Sequence, residues 1–433
     1  MDGGRSMSAQ TISPWAKPFH IMSKAPGASC NMRCDYCYYL QKEELFTPQK
    51  APQKLSRMSE EVLEEFIKQY IEAQPQGQTI VFTWHGGEAL LCPISYYQKA
   101  IDLQRFYARG RRVENTLQTN GILLNEAWCR FFVEHNFLIG ISLDGTEEQH
   151  DRYRRTQGGA PSFARVMRGI ELMQRMGVEF NILSTVNRFN ADEPDRYYQF
   201  LRQTGAQFIQ FTPIVERIRR GAKAYQQVEA PFIHREIEQR LMHDSGEIEL
   251  APYSVLPEQW GDFTTGVFDQ WVRRDVGQIF VQMFDATLAG WLGVAPGVCT
   301  LAPACGHAGV IEHTGDVYSC DHYVYPRYHL GNVLEGSLGQ MMSSEEQLRF
   351  GRAKQEGLTE QCRTCLYLFA CNGECPKNRF ANSRDGEAGH NYLCAGYYQF
   401  WEHVAPYMDY MKACLMQGKP ASLVMEAIAR REL

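Results

Sequence analysis

No stretch of this chain approaches the roughly 18 consecutive apolar residues that a membrane-spanning helix needs. The first thirty residues carry Lys17 and Lys24 but hold no apolar run long enough for a secretory signal. A soluble, cytoplasmic protein with no membrane partner is the expectation. Basic runs are equally scarce: the cluster from Arg217 to Arg220 reads as a solvated loop, and a net charge of −6 gives no reason to expect a nucleic-acid partner. Repeats at a solenoid period and low-complexity tracts are absent as well. What remains is an ordinary globular composition, 44% hydrophobic and 22% charged over 433 residues. A single core stops growing at about 250–300 residues, so a barrel-sized domain plus a smaller one is expected.

Cysteine breaks this plainness. Fourteen are present, and a reducing cytosol keeps thiols free, so their clustering reads as metal ligation rather than as disulfides. Cys30, Cys34 and Cys37 form a CxxxCxxC array followed by Tyr38-Tyr39. Iron–sulfur cubanes normally take four thiolates. Three with no local fourth leave one iron open, where a small molecule can bind and be reduced. Eight more, Cys299, Cys305, Cys320, Cys362, Cys365, Cys371, Cys375 and Cys394, suffice for two cubanes with all four ligands each. Zinc is the general alternative for a CxxC pair. Cys92, Cys129 and Cys414 are left over and read as buried apolar thiols.

Between the cysteine groups, β-rich runs alternate with helical periods. The runs fall at Phe19–Ser23, Ile80–Trp84, Asn115–Thr119, Leu138–Leu143, Phe180–Ser184 and Phe208–Phe211. Leu63, Phe66, Ile67, Tyr70 and Ile71 recur at helical steps after Ser59, a plausible N-cap; Phe163, Val166, Ile170 and Met173 do so after Ser162. Such alternation means βαβ units and a parallel sheet, and six strands fit a partial α/β barrel whose chemistry collects at the strands' carboxyl ends. His85-Gly86-Gly87-Glu88, Thr119-Asn120-Gly121 and Asp144-Gly145 all lie there. Residues 1–17 look like a ragged leader. Residues 222–297 read as a helical bridging segment, Val310–Ser319 as a hairpin turned at Thr314-Gly315-Asp316, and 397–433 as C-terminal helices.

The CxxxCxxC array resembles the signature of the radical S-adenosylmethionine (SAM) enzymes, in which the amino acid end of SAM chelates the unique iron. Gly86-Gly87-Glu88 resembles that family's GGEP motif, with Ala89 in place of proline, whose backbone binds the SAM amino group. Ser142 and Asp144 resemble its SxDG element; Arg154 fits the residue that pairs with the SAM carboxylate, with Arg152 and Arg155 as near alternatives. Tyr36 and Val215 fall where the family contributes to the SAM site, and Gln118, Thr119 and Asn120 line the cavity by the same likeness. The later cysteines resemble the SPASM domain with two auxiliary [4Fe–4S] clusters, one on Cys299, Cys305, Cys320 and Cys375 and the other on Cys362, Cys365, Cys371 and Cys394. Over nearly its whole length the chain resembles the anaerobic sulfatase-maturating enzymes, in which an aspartate directly after the third cysteine of the first auxiliary cluster is the general base. Asp321 after Cys320 matches that position.

The resemblance implies a (β/α)6 radical SAM barrel over 18–221 and a SPASM domain over 298–396. It also implies SAM and three [4Fe–4S] clusters as cofactors, and a sulfatase polypeptide as substrate, with one cysteine or serine oxidised to Cα-formylglycine. The electron donor would be a carrier such as flavodoxin or ferredoxin. Thioether cross-linking or epimerisation of a ribosomal peptide on the same clusters is the alternative chemistry, and a non-catalytic iron–sulfur carrier the alternative class.

Overall fold

The computed structural model describes residues 18–42, 57–223, 226–229 and 248–433. The expected leader over 1–17 lies outside the described residues. Strand and helix alternate as β1 (His20–Lys24), α1 (Glu60–Ala73), β2 (Ile80–His85), α2 (Ile94–Ala108), β3 (Val113–Thr119), α3 (Glu126–Glu134), β4 (Phe137–Ser142), α4 (Phe163–Met176), β5 (Phe180–Val186), α5 (Pro194–Gln203) and β6 (Phe208–Pro213). Each strand pairs in parallel with the next, because a helix returns the chain between them. The result is the expected partial barrel, with every strand within one or two residues of its position in the sequence reading.

Helix α1 starts where the Ser59 hydroxyl accepts from the Val62 N–H at 3.2 Å. Its apolar stripe sets Phe66 and Tyr70 on Phe82 and Trp84 of β2. Rings buried in this way contribute roughly 1.5–3 kcal/mol each. Strand periodicity then sorts the other residues. Phe82, Ile139, Ile141 and Ile182 are buried against the helices, while Thr83, His85, Thr116, Gln118, Ser142, Leu183 and Thr185 face the lumen. The lumen is polar and cross-linked: the Thr83 and Thr116 hydroxyls lie 2.9 Å apart, and Gln118 Nε2 donates to Ser142 Oγ at 3.2 Å.

Three features depart from the sequence reading. The Arg217–Arg220 cluster is not simply a solvated loop: β7 (Arg217–Arg219) pairs antiparallel with β8 (Ile248–Leu250), because Ile218 between the arginines is buried against Tyr36 and Tyr253. The segment after it is helical, with α6 (Pro257–Arg274) and α7 (Gln282–Leu292). Between these helices, however, β9 (Phe280–Val281) adds a parallel strand beside β6; two residues are too few to show a period. The third departure concerns the expected hairpin, β10 (Ala308–Glu312) and β11 (Asp316–Tyr318). It does not stand apart: β10 runs parallel to β1, from His20 opposite Ala308 to Lys24 opposite Glu312. With β12 (His329–Asn332) the barrel's sheet extends to ten strands among the described residues.

Beyond it lie α8 (Glu345–Glu356), α9 (Cys394–Met416), which packs along α6, and α10 (Leu423–Ala429). No helix among the described residues is long and apolar enough to cross a membrane.

Candidate functional site

The loop after β1 carries Cys30, Cys34 and Cys37, and neighbouring segments fix its course. Arg33 and Asp35 donate backbone N–H groups to the carbonyls of Arg155 (2.9 Å) and Tyr153 (3.3 Å), and Gln157 Nε2 donates to the Cys30 carbonyl at 2.6 Å. Gly86 and Gly87 let the loop cross the end of β2. A Cβ on Gly87 would stand 2.1 Å from the Ser29 carbonyl oxygen and 2.5 Å from that of Ala28, and Gly86 holds φ 151° with Pro26 against its Cα. The N–H groups of Gly87 and Glu88 are spent on the carbonyls of Gly27 and Ser29, both at 2.8 Å. The turn's own carbonyls are therefore its groups able to meet an ammonium. The Glu88 carboxylate is consumed as well, accepting from Thr119 Oγ1 (2.6 Å), Asn120 N (2.8 Å) and Leu90 N (2.9 Å). Gly87→Ala is expected to dislodge the cysteine loop and lower the iron retained after anaerobic reconstitution; unchanged iron would mean that the loop simply moves aside.

Across the loop lies a buried ion pair. Asp144 accepts from Arg154 Nε at 2.8 Å, Thr185 Oγ1 at 2.6 Å, Thr185 N at 3.0 Å and the Tyr36 hydroxyl. Burial opposes ionisation of Asp144, but Arg154, His150 and these hydrogen bonds outweigh it and hold the carboxyl below its ordinary range. Of the three nearby arginines, Arg154 is the buried one beside Cys34, whereas Arg155 lies at the surface, where it donates to the Gly159 carbonyl. Its segment is pinned by Ser162, whose hydroxyl donates to the Arg154 carbonyl at 2.7 Å instead of capping α4. The terminal guanidinium nitrogens of Arg154 make no hydrogen bond among the described residues. Gln118 and Ser142 line the lumen nearby, and Asn120 Nδ2 lies 3.8 Å from the Cys30 sulfur. Val215 is not brought into this group. Its side chain packs in the main core and its carbonyl accepts from Lys377 Nζ at 2.7 Å, while the neighbouring Ile214 packs with Tyr36 and Cys34.

A second centre joins the first through Tyr38. Its hydroxyl donates to Asp321 Oδ2 at 2.7 Å. Lys42 Nζ donates to the carbonyls of Asp321 (2.8 Å) and His322 (3.2 Å). Lys24 Nζ, 3.1 Å from His85 Nδ1, lies 4.5 Å above the Tyr39 ring. Burial disfavours the Asp321 carboxylate, but His322, Lys24, Tyr38 and Lys42 outweigh that and push its pKa well down. Those cations are themselves depressed by burial, Lys42 to about 8, and His85 is held neutral with a pKa of about 3. Asp321 is coupled to His20 at the start of β1 as well as to Lys24 at its end, so it flanks β1. Lys24, Lys42 and Thr185 were not among the site residues singled out from the sequence, and His85 was named only as the polar end of its strand. The one available signal was Lys24, a lysine closing an otherwise buried strand.

The cysteines fall into three groups by mutual repulsion. Cys30 feels Cys34 and Cys37; Cys375 feels Cys299 and Cys305, as Cys320 feels Cys299 and Cys375; Cys371 feels Cys362 and Cys394, which in turn feels Cys365. Burial raises the thiols foremost, Cys34 to about 12 and Cys299 to about 11. A set of buried thiolates therefore calls for metal charge. No three His, Cys, Asp or Glu among the described residues converge on one metal ion. Cys362, Cys365, Cys371 and Cys394 ring a cavity of about 220 Å³. Cys92, Cys129 and Cys414 are buried, as expected of apolar thiols.

A βα barrel with an open three-cysteine loop, joined to a cysteine-dense extension, defines a radical SAM enzyme with an iron–sulfur cluster-binding domain. The Radical SAM superfamily model matches residues 25–201 and the SPASM iron–sulfur cluster-binding domain model residues 304–366. The chain is 50% identical over 423 residues, 98% of each chain, to the serine-type anaerobic sulfatase-maturating enzyme of Bacteroides thetaiotaomicron. It is 35% identical to the enzyme of the same description from Klebsiella aerogenes, over 92% of this chain and 87% of that one. A solved structure, native anSMEcpe with bound AdoMet and Cp18Cys peptide, superposes with a TM-score of 0.75 at 26% identity, covering 92% of this chain and 99% of that one. The chain belongs to the anaerobic sulfatase-maturating enzymes.

Proposed function

We propose that this protein oxidises a serine of a sulfatase polypeptide to Cα-formylglycine without oxygen, with SAM and three [4Fe–4S] clusters. The observation that carries the reading is the position of the Asp321 carboxyl, hydrogen-bonded to Tyr38 next to Cys37 on one side and adjacent to Cys320 on the other. One group thus borders both the SAM-binding loop and a cysteine set able to accept an electron. Serine rather than cysteine is favoured because the two sulfatase-maturating relatives above, at 50% and 35% identity, are both serine-type.

In this reading Cys30, Cys34 and Cys37 hold the SAM-binding cluster. Cys299, Cys305, Cys320 and Cys375 hold one auxiliary cluster, and Cys362, Cys365, Cys371 and Cys394 the other. When bound, the reduced cluster and SAM supply one-electron cleavage to a hydrogen-abstracting radical. The chain's residues do the rest. Carbonyls of the Gly86-Gly87-Glu88 turn receive the SAM ammonium, and the free end of the Arg154 fork meets its carboxylate. Asp144, Tyr36 and Ser142 keep that fork and the adjacent wall in place, with Val215 as backing from the core. Asp321 takes the substrate hydroxyl proton as the serine Cβ is oxidised. The cations that keep Asp321 ionised also weaken it as a base, and the added acidity of a hydroxyl on an oxidising carbon compensates. A flavodoxin- or ferredoxin-type carrier supplies the electron.

Paired serine- and cysteine-containing sulfatase peptides, incubated anaerobically with SAM and the reduced, reconstituted protein, provide the test. Mass spectrometry is expected to show the serine peptide losing two hydrogens. Conversion of neither peptide would defeat the proposal, and thioether or epimer products would redirect it to the alternative chemistry.

A further inference from the structure

The cavity ringed by Cys362, Cys365, Cys371 and Cys394 is also lined by His390. This histidine closes β14 (Ala388–His390), which pairs antiparallel with β13 (Ala381–Asn382), Ala381 lying opposite His390. The pairing sets the buried imidazole against the short helix Glu360–Arg363 that carries Cys362. His390 Nδ1 lies 3.6 Å from Cys362 Sγ and 2.8 Å from Thr359 Oγ1. Thr359 occupies the N-cap of that helix, where a hydroxyl ordinarily accepts from a backbone N–H. It makes no such bond and is turned to the ring instead. His390 Nε2 is buried and has no hydrogen-bond partner among the described residues.

We propose that His390 donates a hydrogen bond from Nδ1 to the Cys362 sulfur and thereby raises the reduction potential of the cluster assigned above to Cys362, Cys365, Cys371 and Cys394. A metal-bound thiolate only accepts, so Nδ1 faces it favourably when it carries the proton. The Thr359 oxygen accepts from the same N–H, and sulfur, being larger than oxygen, is in contact at the longer distance. Nε2 then keeps a lone pair, and a buried unpaired acceptor is more readily tolerated than a buried unpaired N–H. The opposite tautomer would set a lone pair against the thiolate and bury a donor with nothing to bond. Thr359 also holds Nδ1 away from the role of an iron ligand. Reduction adds one negative charge to the cluster and its thiolates. The reduced state therefore gains more from the donor than the oxidised state does, and the potential rises. A higher potential makes this cluster the better resting place for an electron taken from the substrate. The inference rests on the cluster assignment of the reading above.

The test uses the full chain with Cys30, Cys34 and Cys37 replaced by alanine, which leaves the two auxiliary clusters, and reads midpoint potentials by EPR-monitored titration instead of turnover. In this parent, His390→Leu is expected to lower one of the two midpoints and leave the other in place. The reduction equilibrium of that cluster should shift at least about tenfold, which is about 59 mV for a one-electron couple. His390→Asn, whose amide N–H can stand where Nδ1–H stood, is expected to recover most of the shift. Pulsed EPR of the parent with isotopically labelled histidine ring nitrogens is expected to show one weak coupling to a reduced cluster, absent from His390→Asn. The proposal is overturned if neither midpoint falls, if both fall alike, or if His390→Asn does no better than His390→Leu. It is also overturned if the ring nitrogen is uncoupled, or coupled as strongly as a direct iron ligand. Should His390→Leu lose iron, the labelled parent and His390→Asn decide by the coupling alone. A parent that holds about eight irons yet fails these tests removes only the role of His390. A parent that holds fewer removes the cluster assignment and the inference with it.

Discussion

Replacing Asp321 by asparagine is expected to lower formylglycine formation by at least about 10²-fold, the low end for lost acid–base catalysis, while SAM cleavage continues uncoupled from peptide oxidation. The amide is nearly isosteric and can still accept from Tyr38, which now donates at 2.7 Å, but it cannot take the substrate proton. Lys24 and Lys42 both lose an anion that opposes their deprotonation in a buried setting. The substitution therefore removes a base and loosens its cationic surround at once. The two effects separate in the measurement: deoxyadenosine and product are quantified together, alongside iron content. Retained iron with deoxyadenosine but little product isolates the loss of the base. Peptide oxidation at the wild-type rate would remove Asp321 from the mechanism.

Lys24 and Lys42 also show where sequence reasoning stopped. The barrel was legible because its strands and helices repeat long enough to show a period, and α1 announces its start through Ser59. The cysteine array, the Gly86-Gly87 turn and Asp144 were legible because each is a short local pattern. The surround of Asp321 was not. It is assembled from the end of β1, the turn after Cys37, the end of β2 and the residues after β11, and no spacing in the chain announces that these meet. The link is the parallel pairing of β10 with β1, which brings residues nearly three hundred positions apart into one register and which hydrophobic periodicity alone does not encode. Val215 was named by motif position; its side chain packs in the core, and the neighbouring Ile214 lies beside Tyr36. Arg154 was one of three candidates until burial and the Asp144 contact separated it from Arg152 and Arg155.

The other large effect is expected from replacing Cys30, Cys34 and Cys37 together by alanine, which should abolish SAM cleavage. The anaerobically reconstituted protein should then keep about eight irons in place of about twelve. The three sulfur groups are distinct. Cys320 and Cys375 feel one another and Cys299, whereas Cys371 and Cys394 feel the third set. Emptying the first loop leaves untouched the eight cysteines proposed above to hold the two auxiliary clusters. If the second and third groups are electron acceptors, the triple variant should still show their spectroscopic signals on chemical reduction while forming no deoxyadenosine. Deoxyadenosine formed by the triple variant would detach SAM from this loop. A wild type holding only about four irons would leave Asp321 with no acceptor beside it, and the path for the second electron of the oxidation would have to be sought outside the chain.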